Sequence, residues 1–410
     1  MFNCRFFNLR FYNINQEYSF KLIILTIFFF TFIPINAYSE KLKVYYSGFS
    51  FSNTYESNKE YSKYSSLLIK EINPKTKINI ISSELNESIG KSNFRNISLI
   101  SDQLIDLDKL ENGSVVMAVA LQHEEFSQEY NYSSQVYNGF YDCYFEILFY
   151  DFDTKNLIAS LPFDFEISML SEKKFTQNEI LKRIKDFYLE DRPFSRIENI
   201  INNFDLKRKY NLRIGITNVE IDDRAFNDMP LNSKKYLNAT KNLLAQTFSK
   251  RFSYIHNISM VPYTEGQVIG NAMKLRFIQS NEIYSLKLPN PDFHINLKLK
   301  GFKKVLAKSS ASEDLYLYGS FFNIKIYQPD IPGKEGIYFN DSLRGVTNIK
   351  VPKKQTEIND WRKYHYNIEV LFDNFSKNIN KPNNKWIKET SKNKIKKDLK
   401  NLKKIIEKLK

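Results

Sequence analysis

The sequence predicts an α/β (α+β) chain of two related mixed-sheet domains with helices packed on them, closed by a C-terminal basic helix. Three observations predict it. Short alternating strands at 42–46 and 212–216 open two series of elements that run in the same order. Corresponding elements stay about 170 residues apart, the mark of an internal duplication. The end of the chain, 385–410, has neither Pro nor Gly and alternates Lys with aliphatic residues at helical spacing.

In the first copy a helix is expected over 58–72, where Tyr61, Tyr64, Leu68 and Ile72 share one face. A short strand follows at 77–81, then a polar or helical stretch over 84–110 and a long strand over 114–126. The next strand, 137–151, carries Tyr141, Cys143, Phe145, Ile147 and Phe149 on one face. A return strand at 156–161 and a helix at 176–189 close the copy. The second copy repeats this: a helix over 233–252, a strand at 258–262, a polar or helical stretch over 265–278 and a long strand over 292–306. In that strand His294, Asn296, Lys298 and Lys300 alternate with Phe293, Ile295, Leu297 and Leu299, as in a half-buried strand. Strands at 318–330 and 336–339 and a helix at 357–379 complete it. The predicted organisation is a signal peptide over 1–37, a first domain over 38–192, a linker over 193–210, a second domain over 211–380 and a helical tail over 381–410.

Apolar residues make up 42% of the chain, enough for packed cores, which excludes global disorder. A low-GC genome enriches Lys and Asn by itself, so composition alone carries no function. The formal charge of +14 is uneven. The segment 377–410 holds thirteen lysines against Glu389, Asp398 and Glu407, and the leader has Arg5, Arg10 and Lys21 against Glu17. The body is therefore nearly neutral, without the basic surface of a nucleic-acid-binding fold, and no nucleic-acid partner is expected.

An n-region with Arg5, Arg10 and Lys21 precedes an apolar run at 22–33, too short for a membrane span of about 20 residues. Pro34 ends the run and small residues follow, so cleavage is expected after Ala37, with Ser39 second and an uncleaved anchor as the alternative. Removing Cys4 leaves Cys143 alone, and a mature chain with one cysteine forms no intrachain disulfide. Export without disulfides fits a bacterial periplasm better than an animal extracellular space.

The element order, together with Val44, Tyr45, Tyr46 and Phe49, the run Val115 to Leu121 and the Asp-turned pair formed by Tyr144 to Asp153 and Asn156 to Ser160, resembles an envelope module. It is similar to the periplasmic α/β domain of the curli secretion-channel lipoprotein and to the N-terminal domain of the Tol-system propeller protein. The resemblance implies a periplasmic assembly or docking module and no catalytic residue. The chain departs from the channel family in having no cysteine after the apolar run and no long paired hairpins for a membrane barrel.

Chemistry-bearing clusters are sparse. His123, His256, His294 and His365 fall on separate elements, with no helical pair at zinc-site spacing. The run His123, Glu124 and Glu125 is the one group able to combine imidazole and carboxylate, and it is expected at a solvated strand end. Cys143 is expected in the core. Gly266 and Gly270 lack the Lys-Ser/Thr of a phosphate loop, and Asp222 and Asp223 lack calcium-loop spacing. No cofactor or metal is implied, and no catalytic residue is assigned.

Two sets of residues are candidates for interaction. Tyr130, Tyr132 and Tyr137 cluster beside Asn and Ser, as in a recognition face for glycan or protein. In the tail, expected as one helix over 385–410, Trp386, Ile395, Leu399, Leu402 and Ile406 form a narrow apolar stripe. Lys396, Lys397, Lys403 and Lys404 line its flanks. Such a helix suits an anionic membrane or envelope polymer, or pairing with a helix of an envelope protein. The expected function is therefore a non-catalytic periplasmic binding or scaffold protein of envelope assembly, secretion or adhesion. The alternative is a periplasmic hydrolase with acidic residues drawn from loops.

Overall fold

The computed structural model describes residues 41–52, 61–101, 110–264, 272–278, 282–355 and 357–410; the expected signal at 1–37, like Gly266 and Gly270, lies outside them. The first copy opens with β1 (Leu42–Phe51), α1 (Ile80–Lys91), β2 (Ile97–Ile100) and β3 (Val115–Asn131). β4 (Val136–Asp151), β5 (Leu157–Ser171), α2 (Gln177–Glu190) and α3 (Arg196–Asn202) complete it. The second copy opens with β6 (Ile214–Ile221), α4 (Asp223–Asp228), α5 (Leu231–Lys235) and α6 (Leu237–His256). Then come β7 (Ala272–Phe277), β8 (Ile283–Lys287), β9 (Phe293–Ser309), β10 (Glu313–Tyr327) and β11 (Ile337–Pro352). The chain closes with α7 (Asp360–Asn380), α8 (Asn384–Thr390) and α9 (Lys396–Leu409).

The fold class is the mixed α/β one expected, and the two copies share a topology. In each, the opening strand runs parallel to the first strand of an antiparallel meander, giving the orders β5-β4-β3-β1 and β11-β10-β9-β6. Each opening strand also carries a bulge at the same place, Ser47 between Tyr46 and Gly48, Thr217 between Ile216 and Asn218. A bulge adds one residue against the partner and re-aims the strand, so its repetition marks a shared design.

Several expected elements differ in the structure; the expected strand at 258–262, for one, makes only the isolated bridge of Val261 to Gly215. The expected strand at 77–81 is the start of α1, because the Asn79 side chain caps the helix by accepting from the Ile81 and Ser82 backbone amides. Besides β3, β1 has a second parallel neighbour in β2, inside the stretch expected to be polar or helical. Of the expected helix at 58–72, residues 58–60 lie outside the described ones and Ser65–Lys70 forms a short 3-10 helix, with Tyr61, Tyr64 and Leu68 buried and Ile72 exposed. The connecting segment also folds: Phe194, Ile197 and Ile201 are fully buried in the first core.

One face of the first sheet, with Tyr141, Cys143, Phe145, Ile147 and Phe149, packs under α1, α2 and α3. Its other face holds Val116, Ala118, Leu148 and Tyr150, covered by Met273, Leu275 and Leu286 of β7 and β8. Although they belong to the second copy in sequence, these strands extend the first sheet through β1. The inner face of the second sheet packs on α6, α7 and α9. α7 approaches closely, since a Cβ on Gly345 would stand 2.6 Å from Asn367 Oδ1, and Asn367 Nδ2 donates to the Tyr318 and Gly345 carbonyls. Leu42–Lys410 forms one compact unit.

The tail is two helices. The break falls where Ser391 bridges to Leu343 and where the Ser391 hydroxyl and the Asn393 amide donate to Asp341. Those bonds outweigh continued helix and turn the chain back, so α9 lays its stripe into the second core. No helix among the described residues is long and apolar enough to cross a membrane.

Candidate functional site

Two regions gather the chemistry-bearing side chains: a buried polar seam between the copies, and a cleft on the outer face of the second sheet.

The seam forms because the second face of β4 alternates Asp142, Tyr144 and Glu146 with the apolar residues of the first core. Neighbouring strands add His123, Glu125, Asp164 and Glu166 in register. Helices α6 and α7 answer with Gln246, Thr247, Lys250, Arg362, His365 and Glu369. Arg362 bridges Asp142 and Glu166, both at 2.8 Å, and its guanidinium lies 3.7 Å from the Phe140 ring centre. Lys250, only 5% exposed, pairs with Asp164 at 2.5 Å and Glu369 at 3.2 Å. Glu146 accepts from Gln122 at 2.7 Å and Gln246 at 3.3 Å.

Burial sets the protonation states here. It pushes Glu125 up to about 7, helped by the charge on Asp142, with Arg362 opposing. It raises Glu146 to about 7 and Asp142 to about 6, against the hydrogen bonds of the first and the Arg362 charge beside the second. It lowers His123 to about 3 and His365 to about 4. Burial works against the Glu369 carboxylate as well, yet Lys250, His365 and Arg251 hold it below the usual range.

The run His123, Glu124 and Glu125 is therefore not at a solvated strand end. It sits in mid-strand, because β3 continues to Asn131 and stays paired with β4 throughout. Glu124 faces the opposite side from its neighbours and accepts from the Tyr64 and Ser65 amides and the Ser65 and Tyr141 hydroxyls, pinning the 3-10 turn to the sheet. A cavity of about 160 Å³ touches His123 and Glu125, walled by Lys63, Thr240 and Leu243. Ligand pockets run from about 300 Å³ upward, so this one falls below the size of an ordinary ligand site. An imidazole held near 3 is also a poor base at neutral pH. The seam is mortar between the copies.

Tyr130, Tyr132 and Tyr137 do come together, at the β3–β4 hairpin end. Tyr130 and Tyr137 face across the strands with ring centres 5.0 Å apart, and Tyr132 lies 6.4 Å from Tyr130. Gln355 ties this end to the second copy, donating to the Tyr130 carbonyl and accepting from the Tyr132 amide at 3.0 Å. Tyr132 is 38% exposed, and Lys354 lies 5.6 Å from its ring centre.

Of the tail residues, Ile395, Leu399, Leu402 and Ile406 are buried in the second core, joined by Ile405 and Leu409, and Trp386 packs half-buried against it. A free apolar stripe is therefore not presented, since the stripe closes the core under the second sheet. Lys396, Lys397, Lys403 and Lys404 stay exposed.

The cleft was not anticipated from sequence. It has a volume of about 970 Å³, within the range of ligand-binding pockets. Lys300, Gly301, Lys303, Phe321, Ser342 and Arg344 form its floor on β9, β10 and β11. α4 bounds one side with Arg224, and the α8–α9 turn bounds the other with Lys392 and Asn393. Five cations thus surround Phe321, against Asp228 and Asp341, and Asp341 is already engaged by Ser391 and Asn393. Arg344 Nε donates to the Glu389 carbonyl. Arg224, Lys300, Lys303 and Lys392 form no ion pair among the described residues.

No family model matches the chain, and no curated protein matches it. Among solved structures it is similar to a hypothetical protein, CT253, of Chlamydia trachomatis. The identity is 8%, with 40% of this chain and 92% of that chain covered and a TM-score of 0.22.

Proposed function

We propose that this chain is an exported, non-catalytic binding or scaffold protein of a bacterial envelope, with the outer face of its second sheet as the binding surface. The observation that carries the reading is the contrast between the two faces of that sheet. The inner face is closed by three helices, while the outer face carries an open cleft rimmed by unpaired cations. The charged groups Asp142, Asp164, Glu166, Lys250, Arg362 and Glu369 of the seam are paired with one another, and the cavity beside His123 and Glu125 is small for a substrate. The apolar run at 22–33 supports export, and the periplasm is its destination. The exposed lysines of α9 add attraction to anionic membrane or envelope polymer, screened at high salt.

Fractionation of the native host with N-terminal sequencing tests the location: a periplasmic product beginning at Tyr38 is expected. A soluble cytoplasmic product retaining Met1 would overturn it. A photo-reactive residue at Phe321 tests the surface, and cross-linking to an envelope component is expected there in preference to one placed at exposed Leu170 of β5.

A further inference from the structure

We propose that the cleft around Phe321 is a docking groove for an extended acidic peptide segment of a partner protein, one whose sheet-facing side chains are carboxylates at one end and aliphatic beyond. This rests on the reading of the outer face as the binding surface and names its ligand.

Charge gives the first half of the argument. Arg224, Lys300, Lys303 and Lys392 are exposed and without ion pairs among the described residues, and with Arg344 they surround one depression. The lining carries these five cations against Asp228 and Asp341, so its net charge is positive and favours an anionic ligand.

The floor gives the second half. β10 is regular, so Leu315, Leu317 and Phe321 point to the outer face while Tyr316, Tyr318 and Phe322 point inward. Val305 lies opposite Leu317 on β9, and Val346 lies opposite Gly319 on β11. Val305 and Val346 are 40% and 53% exposed. An aliphatic strip thus runs from the cleft along the sheet, with Lys303 and Arg344 at its start. A peptide chain in extended form presents every second side chain to one surface, so a run of carboxylates on that face meets the cations of the cleft and the aliphatic run that follows on the same face covers the strip.

A phosphate or a lipid headgroup would use the charge and leave the strip bare. A purely polar anionic polymer would do the same. The observations therefore favour the peptide.

The test uses the chain from Tyr38 to Lys410 and fluorescence anisotropy with a labelled twelve-residue Glu-Leu peptide, its first half Glu and its second half Leu, each alternating with Ser. Its Lys-Leu counterpart, a polyglutamate of equal length and anionic phosphatidylglycerol vesicles serve as competing probes. The Glu-Leu peptide is expected to bind, to weaken with added salt and to outcompete polyglutamate. The double substitution Lys300→Glu with Lys303→Glu should lower affinity about tenfold or more, as reversal of rim charges does, with unchanged thermal unfolding. Lys392→Glu, on the opposite wall, should act in the same direction if the double variant fails to fold. Phe321→Ser should weaken the Glu-Leu peptide more than polyglutamate.

Equal binding by wild type and charge-reversed protein overturns the proposal, as does preference for polyglutamate or for vesicles. If the peptide fails while Phe321 still cross-links to an envelope component, the peptide assignment falls and the binding-surface reading stands. If both fail, both readings fall.

Discussion

Glu146 shows how a single side chain sets a pH response. It is 1% exposed, bonded to two glutamine amides and without a cation partner, and burial lifts its carboxyl to about 7. A carboxyl whose folded value lies above its unfolded one stabilises the fold fully below the unfolded value and loses that contribution as pH rises through the folded value. From the ordinary 4.5 to about 7, the full swing is on the order of 3 kcal/mol. His123 and His365 act in the opposite sense: their values are depressed, so their contribution is complete above the unfolded 6.5 and lost as pH falls toward 4 and 3. Stability should therefore peak in mildly acidic solution. Glu146→Gln should raise the melting temperature at pH 8 by several degrees while leaving it within a degree at pH 5, read by circular dichroism. A variant that melts lower than wild type at pH 8 would show that the carboxylate is the favoured form. The seam's polar face was present in the alternation of Asp142, Tyr144 and Glu146. Only the apolar half of that alternation announces itself in sequence, because a polar strand face ordinarily meets water.

At the scale of elements, the tail shows the same ambiguity. Its steps of four and three residues identify a narrow apolar stripe, and periodicity is equally consistent with a partner helix, a membrane or the chain's own core. The structure chooses the last: Leu399 and Leu402 are at most 2% exposed. Leu402→Ala should then cost about 2–5 kcal/mol, the range for emptying a packed core, measured by urea unfolding. A chain ending at Asn380 should lose cooperative unfolding of the second copy, because it bares Phe339, Phe375 and Leu343. Unchanged unfolding of both variants would return the tail to the surface. Strand β5 shows an edge handled with care: Pro162 has no amide to offer a neighbour, Arg213 donates to the Ile158 carbonyl at 2.9 Å, and Ser259 accepts from the Ser160 amide at 2.8 Å. Helix α6 was legible as amphipathic over 233–252. That it is buried on nearly every side, from Asn242 to Ser249 and again at Phe252, followed from the first sheet arriving on its far side.

For the whole molecule, the copies share too much to act as separate beads. Strands β7 and β8 belong to the second copy in sequence and to the first sheet in space, α6 packs on both sheets, and the seam pairs charges across the join. One calorimetric transition is expected for residues 38–410, and residues 38–210 expressed alone should aggregate, since Val116, Ala118, Leu148 and Tyr150 lose their cover. Two resolved transitions, or a folded monomeric fragment, would contradict this. What the sequence alone determined was the fold class, the long strands and most of the long helices, their apolar faces and the buried place of Cys143. Those follow from side-chain spacing along one element, which is local information. The exchange of the β7–β8 hairpin, the burial of the tail and the convergence of Arg224, Lys300, Lys303, Arg344 and Lys392 were decided by the tertiary structure. Each depends on which surfaces meet, and residues more than a hundred positions apart carry no mutual signal until the sheets bring them together.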